Sequence, residues 1–330
     1  MKFVAPVVAA LVIWTGVQVT PGRAVPAAQE RRTSPSAPRV DRDELMRVVR
    51  VLSQPSFEGR RTGTAGNLLA RQFVRDVFQR IGLAPATPDF LQPFAFVPSP
   101  PSGRLSGAPT RSGPVEGTNV IAMQAGRQAG ARTLVISAHY DHLGIVNGVT
   151  YPGADDNASG VAALLAVARY VHAHPPAHTV IFAAFDAEEP GLHGAKTFVR
   201  TPPVPLTTIA LNVNFDMVSR NDRHEIYAAG TFQHPSLRPI VTEVQERTPV
   251  AIRFGHDRPD PRGNNGDDWT LQSDHGVFHQ AGVPFIYFGV EDHPDYHKPT
   301  DTADRIDPMF FGDVAEMLLD FVITADQRLP

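Results

Sequence analysis

The sequence predicts an α/β layered domain with helices on both faces of one sheet. Short apolar β-type runs alternate with longer helical runs from about residue 119 to the end, and such alternation builds a sheet whose crossovers are helices. Acidic and histidine residues gather immediately after the β-type runs, where an open α/β sheet forms its ligand crevice. No internal repeat competes with this reading.

Taken in order, Asp41 is placed to cap a helix running to about Leu52, with Leu45, Val48, Val49 and Leu52 on one face. A second helix is predicted over 64–81, with Leu68, Leu69, Phe73, Val77 and Ile81 at helical spacing and Gly82 as a stop. Residues 85–117 are rich in Pro and Gly and predict one edge strand, 91–97, within a long loop. Further strands are predicted at 119–123, 133–138, 179–185, 209–215, 225–229 and 284–288. Helices are predicted at 158–172, 191–199, 236–247, 276–281 and 308–325. Residues 253–269, rich in Asp, Gly, Pro and Arg, read as a surface loop, the other reading being a wall of a substrate pocket.

Composition bounds the function. The 330 residues suffice for one large domain or two small ones, and the formal net charge of -4 gives no reason to expect a nucleic-acid partner. There is no cysteine, which excludes disulfides, thiolate ligands, a thiol nucleophile and a lipidated cysteine anchor. Any transition metal must be held by His, Asp and Glu. Lys2, an apolar stretch over 3–19 broken by Pro6 and Gly16, and the small-residue run Val25-Pro26-Ala27-Ala28 read as an export signal cut after Ala27 or Ala28. The stretch is short for a stable span. The expectation is a signal peptide over 1–28, a flexible linker over 29–39, one continuous domain over 40–330, no stable membrane anchor, and export to the periplasm or outside the cell.

Five pieces carry the acidic and histidine residues. They are Ala138-His139-Tyr140-Asp141-His142, Gly153-Ala154-Asp155-Asp156-Asn157-Ala158-Ser159-Gly160, Phe185-Asp186-Ala187-Glu188-Glu189-Pro190-Gly191-Leu192, Asn214-Phe215-Asp216-Met217, and Tyr296-His297-Lys298-Pro299-Thr300-Asp301-Thr302. Each has an ordinary reading alone. Asp155 and Asp156 suit a helix start, Glu188 and Glu189 suit a solvated turn, and a lone histidine after a strand is common. Together they are harder to dismiss. Carboxylates sharing one crevice repel and need cations, and a cysteine-free His/Asp/Glu set suits divalent metal.

In this order the five pieces resemble the co-catalytic di-zinc aminopeptidase family that includes secreted bacterial leucyl aminopeptidases. Phe57-Glu58-Gly59-Arg60-Arg61-Thr62-Gly63-Thr64 resembles a segment near the start of that family's catalytic domain. Ser273-Asp274-His275-Gly276-Val277-Phe278, followed by Gly282-Val283-Pro284, resembles a later one. The resemblance covers about 52–306. It implies a mixed, mostly parallel central sheet of about eight strands sandwiched by helices, the zinc aminopeptidase/phosphorylase-like fold, with 40–330 as the catalytic domain.

The resemblance also implies roles. His139 and Asp216 would bind one zinc, Glu189 and His297 the other, and Asp156 would bridge them, giving two Zn2+ per chain with other divalent metals possible. Asp155 is the weaker ligand candidate. Asp141 would orient His139, and Asp301 would do similar work near His297. Glu188 would be the general base towards a water activated by the two zincs, and Tyr296 would help hold the oxyanion. The substrates would be peptides with a free amino end, preferably with an apolar first residue. Ala195 and Val218-Ser219 depart from the commoner family pattern. His142 and His193 read as non-ligands, and Ser273-Asp274-His275 as a helix start beside the pocket, since triad members are not sequence neighbours.

Two other functions stay open. A glutaminyl cyclase-type acyl transferase shares the fold but uses one zinc and usually shows Trp where Tyr296 stands. A non-enzymatic binding domain on this fold has lost ligands that are all present here.

Overall fold

The computed structural model describes residues 38–98, 113–128, 130–259 and 267–329, together with Met1. The expected signal peptide and nearly all of the linker lie outside the described residues. The helices and strands of the described residues belong to the second of the chain's two units, Pro38–Pro330.

The first two helices start where capping chemistry puts them. Helix α1 spans Arg42–Leu52, and the Asp41 carboxylate accepts the Glu44 N–H at 3.0 Å. Helix α2 spans Ala65–Ile81 behind a Thr64 cap and closes on Gly82 at φ 94, a conformation that favours glycine. The buried face of α2 differs from the predicted one. It runs through Asn67, Ala70, Val74, Val77 and Phe78, while Leu68 and Leu69 are 39% and 40% exposed. Polar Asn67 is inside because its amide donates to Arg60 O at 3.1 Å and to Asp186 Oδ1 at 2.9 Å, contacts that apolar periodicity does not register.

Strands β1 (Ala84–Pro85) and β2 (Leu91–Phe96) both pair antiparallel with β3 (Val115–Gln124), which pairs antiparallel with β7 (Thr179–Phe185). From β7 the centre of the sheet is parallel, through β4 (Thr133–His139), β8 (Ile209–Phe215) and β11 (Phe285–Gly289). Strand β9 (Glu225–Ala229) is antiparallel to β11 and parallel to β10 (Ala251–Phe254). The result is a mixed sheet of nine strands with a parallel core. Strand β10 takes up the start of the stretch expected as loop. A hairpin, β5 (Gly144–Val146) and β6 (Val149–Tyr151), stands apart from the sheet. Its turn is Asn147-Gly148, both at positive φ, the chemistry of a tight hairpin turn.

Helices α3 (Gly160–Ala173), α4 (His193–Arg200), α5 (Arg238–Gln245), α6 (His275–Gln280) and α7 (Pro308–Arg328) complete the fold. Strand side chains alternate between two cores. Leu134, Ile136 and Ala138 of β4 pack with residues of α1, α2, α3, α5 and α7. Val135 packs on the other face with Ala195 and Phe198 of α4 and Val277 and Phe278 of α6. Three helices start two residues later than predicted. Before α3 the chain makes a π-helical turn over Ala154–Ser159, and before α4 Pro190 sits in a turn rather than opening the helix.

Candidate metal centre

The parallel centre of the sheet brings the predicted residues to one end. His139 closes β4, Asp186 to Glu189 follow β7, Asp216 follows β8, and Tyr296 and His297 lie in the loop after β11. Asp156 comes from the π-helical turn that feeds α3. His139, Asp156, Glu188, Glu189, Asp216, Tyr296 and His297 line one open cleft of about 310 Å³, with Gly191, Leu192, Met217, Leu271 and Gln272 completing its wall.

Asp156 is the centre of the arrangement. Its Oδ1 lies 3.4 Å from His139 Nε2, which is 3.2 Å from Asp216 Oδ1. Its Oδ2 lies 3.0 Å from His297 Nε2, which is 3.4 Å from Glu189 Oε2. The two oxygens of one carboxylate therefore face two separate imidazole–carboxylate pairs. His142 enters on the second side, with Nδ1 2.6 Å from Glu189 Oε1 and 3.7 Å from Asp156 Oδ2. Among the described residues, His139/Asp156/Asp216 and His142/Asp156/Glu189 each offer three donor atoms within 4.8 Å of one another.

The supporting residues act mostly on backbone. Asp141 Oδ1 accepts the Glu188 N–H at 3.0 Å and Oδ2 the Glu189 N–H at 3.4 Å, while its Oδ1 is 3.7 Å from His139 Nδ1. Asp301 accepts the backbone N–H groups of Asp155 and Asp156 at 3.1 Å, so it holds the Asp156 turn and not the His297 ring. Asp155 points away from the cleft, to the Ser219 hydroxyl at 2.6 Å, the Ser219 N–H at 2.8 Å and His293 Nε2 at 3.1 Å. The departure at Ser219 thus bears on the neighbour of Asp156. Ala195 sits in the second core, and His193 stacks on Phe96. Ser273 accepts from the Asn214 amide at 3.0 Å, and His275 Nε2 contacts Trp269 O at 2.9 Å. That places Ser273-Asp274-His275 at the start of α6, with no triad geometry.

Several residues that carry the site have no role legible in the sequence. Arg60 is fully buried, and its guanidinium donates to four carbonyls, those of Leu52, Tyr140, Pro152 and Gly153, at 2.7–2.8 Å. It ties the end of β4 to the entry of the Asp156 turn. Asp186 accepts from the hydroxyls of Thr62 and Tyr140, the Asn67 amide and the N–H groups of Thr118 and Ala187 at 2.8–3.0 Å. Arg220 pairs with Asp295 at 2.8 Å in the loop before His297. Arg60 lies in the Phe57 to Thr64 segment and Asp186 in the Phe185 to Leu192 piece, but neither segment shows these contacts in the sequence.

The electrostatics fit a cation site. Burial pushes the Glu188 carboxyl well above the usual range; Glu189 and Asp216 add to this while His139 opposes it. Burial likewise raises Glu189. Burial opposes protonation of His139 and His297, yet the facing carboxylates prevail, raising His139 well above its ordinary value and His297 to about 9. In the metal-free chain, imidazolium protons are the counter-ions of these carboxylates. A divalent ion displaces such protons on binding. An all His/Asp/Glu donor set at these separations, with one carboxylate facing two groups, fits divalent metal and zinc in particular.

Residues 119–322 match Peptidase family M28. A probable zinc metalloprotease of Pyrenophora teres f. teres is 29% identical over 215 residues, covering 62% of this chain and 45% of that protein. A probable lipoprotein aminopeptidase LpqL of Mycobacterium tuberculosis is 32% identical over 225 residues, covering 59% and 42%. The chain spans about half the length of the curated relatives it matches. Among solved structures, an aminopeptidase from Aneurinibacillus sp. strain AM-1 superposes with a TM-score of 0.70 at 18% identity, covering 88% of this chain and 94% of that one. A glutaminyl cyclase from Porphyromonas gingivalis gives 0.65 at 19%, covering 87% and 99%. At those identities the likeness is one of fold.

Proposed function

The chain belongs to peptidase family M28, and from that premise we propose that it is a two-metal aminopeptidase that hydrolyses the first peptide bond of peptides with a free amino end. The observation that carries this reading is the placement of Asp156, one oxygen towards His139 and Asp216 and the other towards His297 and Glu189. His139 and Asp216 would hold one ion, Glu189 and His297 the other, and Asp156 both. Two bound zinc ions would supply Lewis acidity, polarising the scissile carbonyl and making water a better nucleophile.

The chain's own residues supply the rest. Glu188 lines the cleft but is not among the proposed donors, so it is free to take the proton of the attacking water and return it to the leaving amine. The Tyr296 ring stacks on His297 at 3.9 Å, and burial pushes its hydroxyl up so that it stays protonated. A neutral hydroxyl there can donate to the oxygen on which negative charge develops. The substrate's free, neutral amine can approach the metal and carboxylate cluster, which favours cleavage next to a free amino end. Leu192, Met217 and Leu271 on the wall favour an apolar first side chain. The signal peptide over 1–28 and export belong to the same proposal, which expects a mature chain starting near Ala28 or Gln29.

The rival reading is a cyclase on the same fold. The experiment that separates them is a metal count on purified protein, paired with hydrolysis of aminoacyl anilides and their acetylated forms. Two ions and cleavage of the free forms only are expected. Full activity with one ion, or equal cleavage of acetylated substrates, overturns the peptidase proposal.

A further inference from the structure

The distances around Glu189 fall into two classes. Groups proposed to share an ion stand 3.0–3.4 Å apart, as in His297 Nε2 to Asp156 Oδ2 and to Glu189 Oε2. A tetrahedral zinc with bonds of about 2.0–2.2 Å spaces its donors roughly 3.3–3.6 Å apart, so the His297–Glu189 separation suits co-ligands and the His297–Asp156 one falls about 0.3 Å short. His142 Nδ1 stands only 2.6 Å from Glu189 Oε1. That is too close for two donors on one ion and is the length of a short, charge-assisted hydrogen bond.

Resting on the two-metal reading, we propose that His142 is a positioning residue: its Nδ1–H holds Glu189 Oε1, so that Oε2 is the oxygen turned towards the second metal site. The ring has little freedom to do otherwise. It is 1% exposed and packs on Gly153, where a Cβ would come within 2.5 Å of His142 Cδ2. Its edge meets the His297 ring at 5.8 Å. Nε2 is buried with no hydrogen-bond partner among the described residues, so Nδ1 is the nitrogen that makes a polar contact. Asp156 Oδ2, at 3.7 Å, is beyond hydrogen-bonding distance. The segment that carries His142 already holds the Glu189 backbone, through Asp141 Oδ2. Through Asp141 and His142 this strand end would thus fix both the main chain and the carboxylate rotation of Glu189, a donor to the second site.

The test uses the full chain and three variants. His142→Asn can place an amide N–H where Nδ1–H stands, His142→Gln reaches only the Nε2 position, and His142→Leu offers no donor. Zinc affinities come from competition with a chelating indicator, kcat and KM from an aminoacyl anilide, and thermal unfolding of the metal-free forms reports any loss of fold. In His142→Leu and His142→Gln, the first ion should bind as in wild type and the second about 10–100-fold more weakly. The loss in kcat should be reversed by added zinc, and KM should move little. His142→Asn should stay near wild type. Because Asn and Gln differ chiefly in where the amide sits, their contrast stands even if His142→Leu folds poorly. Asn as weak as Gln would make the imidazole itself a ligand and overturn the inference, as would all variants binding both ions like wild type. A wild-type chain that binds a single ion fails the two-metal reading itself.

Discussion

The Asp141 carboxylate, two residues past His139, accepts the backbone N–H of Glu188 at 3.0 Å. The end of β4 therefore carries one imidazole of the candidate centre and also fixes the turn that carries both glutamates. Asp141→Asn puts an NH2 group on one side of a carboxylate that now meets two backbone donors. It should weaken metal affinity about 10–100-fold and lower kcat with it. Zinc titration of the metal-free protein, read beside its unfolding midpoint, checks this; unchanged affinity would mean that the Asp141 contacts serve the fold alone.

Asp156 is shared by both halves of the centre, so removing its charge should act twice. Asp156→Asn is expected to lose both ions at zinc concentrations that saturate wild type. His139→Ala is expected to lose chiefly one, since Glu189 and His297 stay in place with Asp156 between them. Elemental analysis after gel filtration gives the counts. Equal losses in the two variants would remove the bridging role from Asp156.

How far the sequence can be read depends on whether the signal is local. Strands Thr179–Phe185, Ile209–Phe215 and Glu225–Ala229 stand out as short apolar runs between turn residues. The proposed donors stand out because an α/β sheet delivers the residues after its parallel strands to one end. The illegible part depends on contacts between distant segments. Arg60 reaches carbonyls up to 93 positions away, and Asp301 reaches back 145 positions to the Asp156 amide. Asn67 reads as a surface residue of α2 until Asp186 supplies its partner. His142 sits beside the His139 motif, but only packing turns it towards Glu189. The β5–β6 hairpin has its Asn147-Gly148 turn in plain view, yet strands of three residues give too little alternation to read.

Asp274 gives a pH-dependent prediction. Its carboxyl is fully buried and neither oxygen has a hydrogen-bond partner among the described residues. Burial, with Asp141 and Asp216 adding to it and His139 opposing, raises it from 3.8 to about 8 in the metal-free chain. A folded-state pKa above the unfolded one means that the folded protein holds this proton more tightly. The stabilisation is full below about pH 4 and is progressively lost as pH climbs to about 8. Asp274→Asn has no proton to lose. Its stability relative to wild type should therefore rise between pH 4 and pH 8 in metal-free protein, and less so with zinc bound, because nearby cations favour the carboxylate. Urea midpoints across that range measure it; parallel curves for the two proteins would contradict the account.

Glu188 and Glu189 are adjacent, follow the same strand and line the same cleft, yet the proposal assigns them different work. Glu189 faces His297 at 3.4 Å and His142 at 2.6 Å, the surroundings of a donor to the second ion. Among the described residues Glu188 shows no such pairing, and its carboxyl answers first to burial. Glu188→Gln keeps the size of the side chain and removes the base. Metal content should hold while kcat falls about 10²–10⁴-fold, and KM should change little because the groups that meet the substrate's amine remain. Glu189→Gln removes a donor charge, so one ion should bind more weakly and added zinc should recover part of the activity. Metal loss in the Glu188 variant with retention in the Glu189 variant would reverse the two assignments. Full activity and full metal content in both would move catalysis away from this cleft altogether, since no proton acceptor and no donor to the second ion would have been lost.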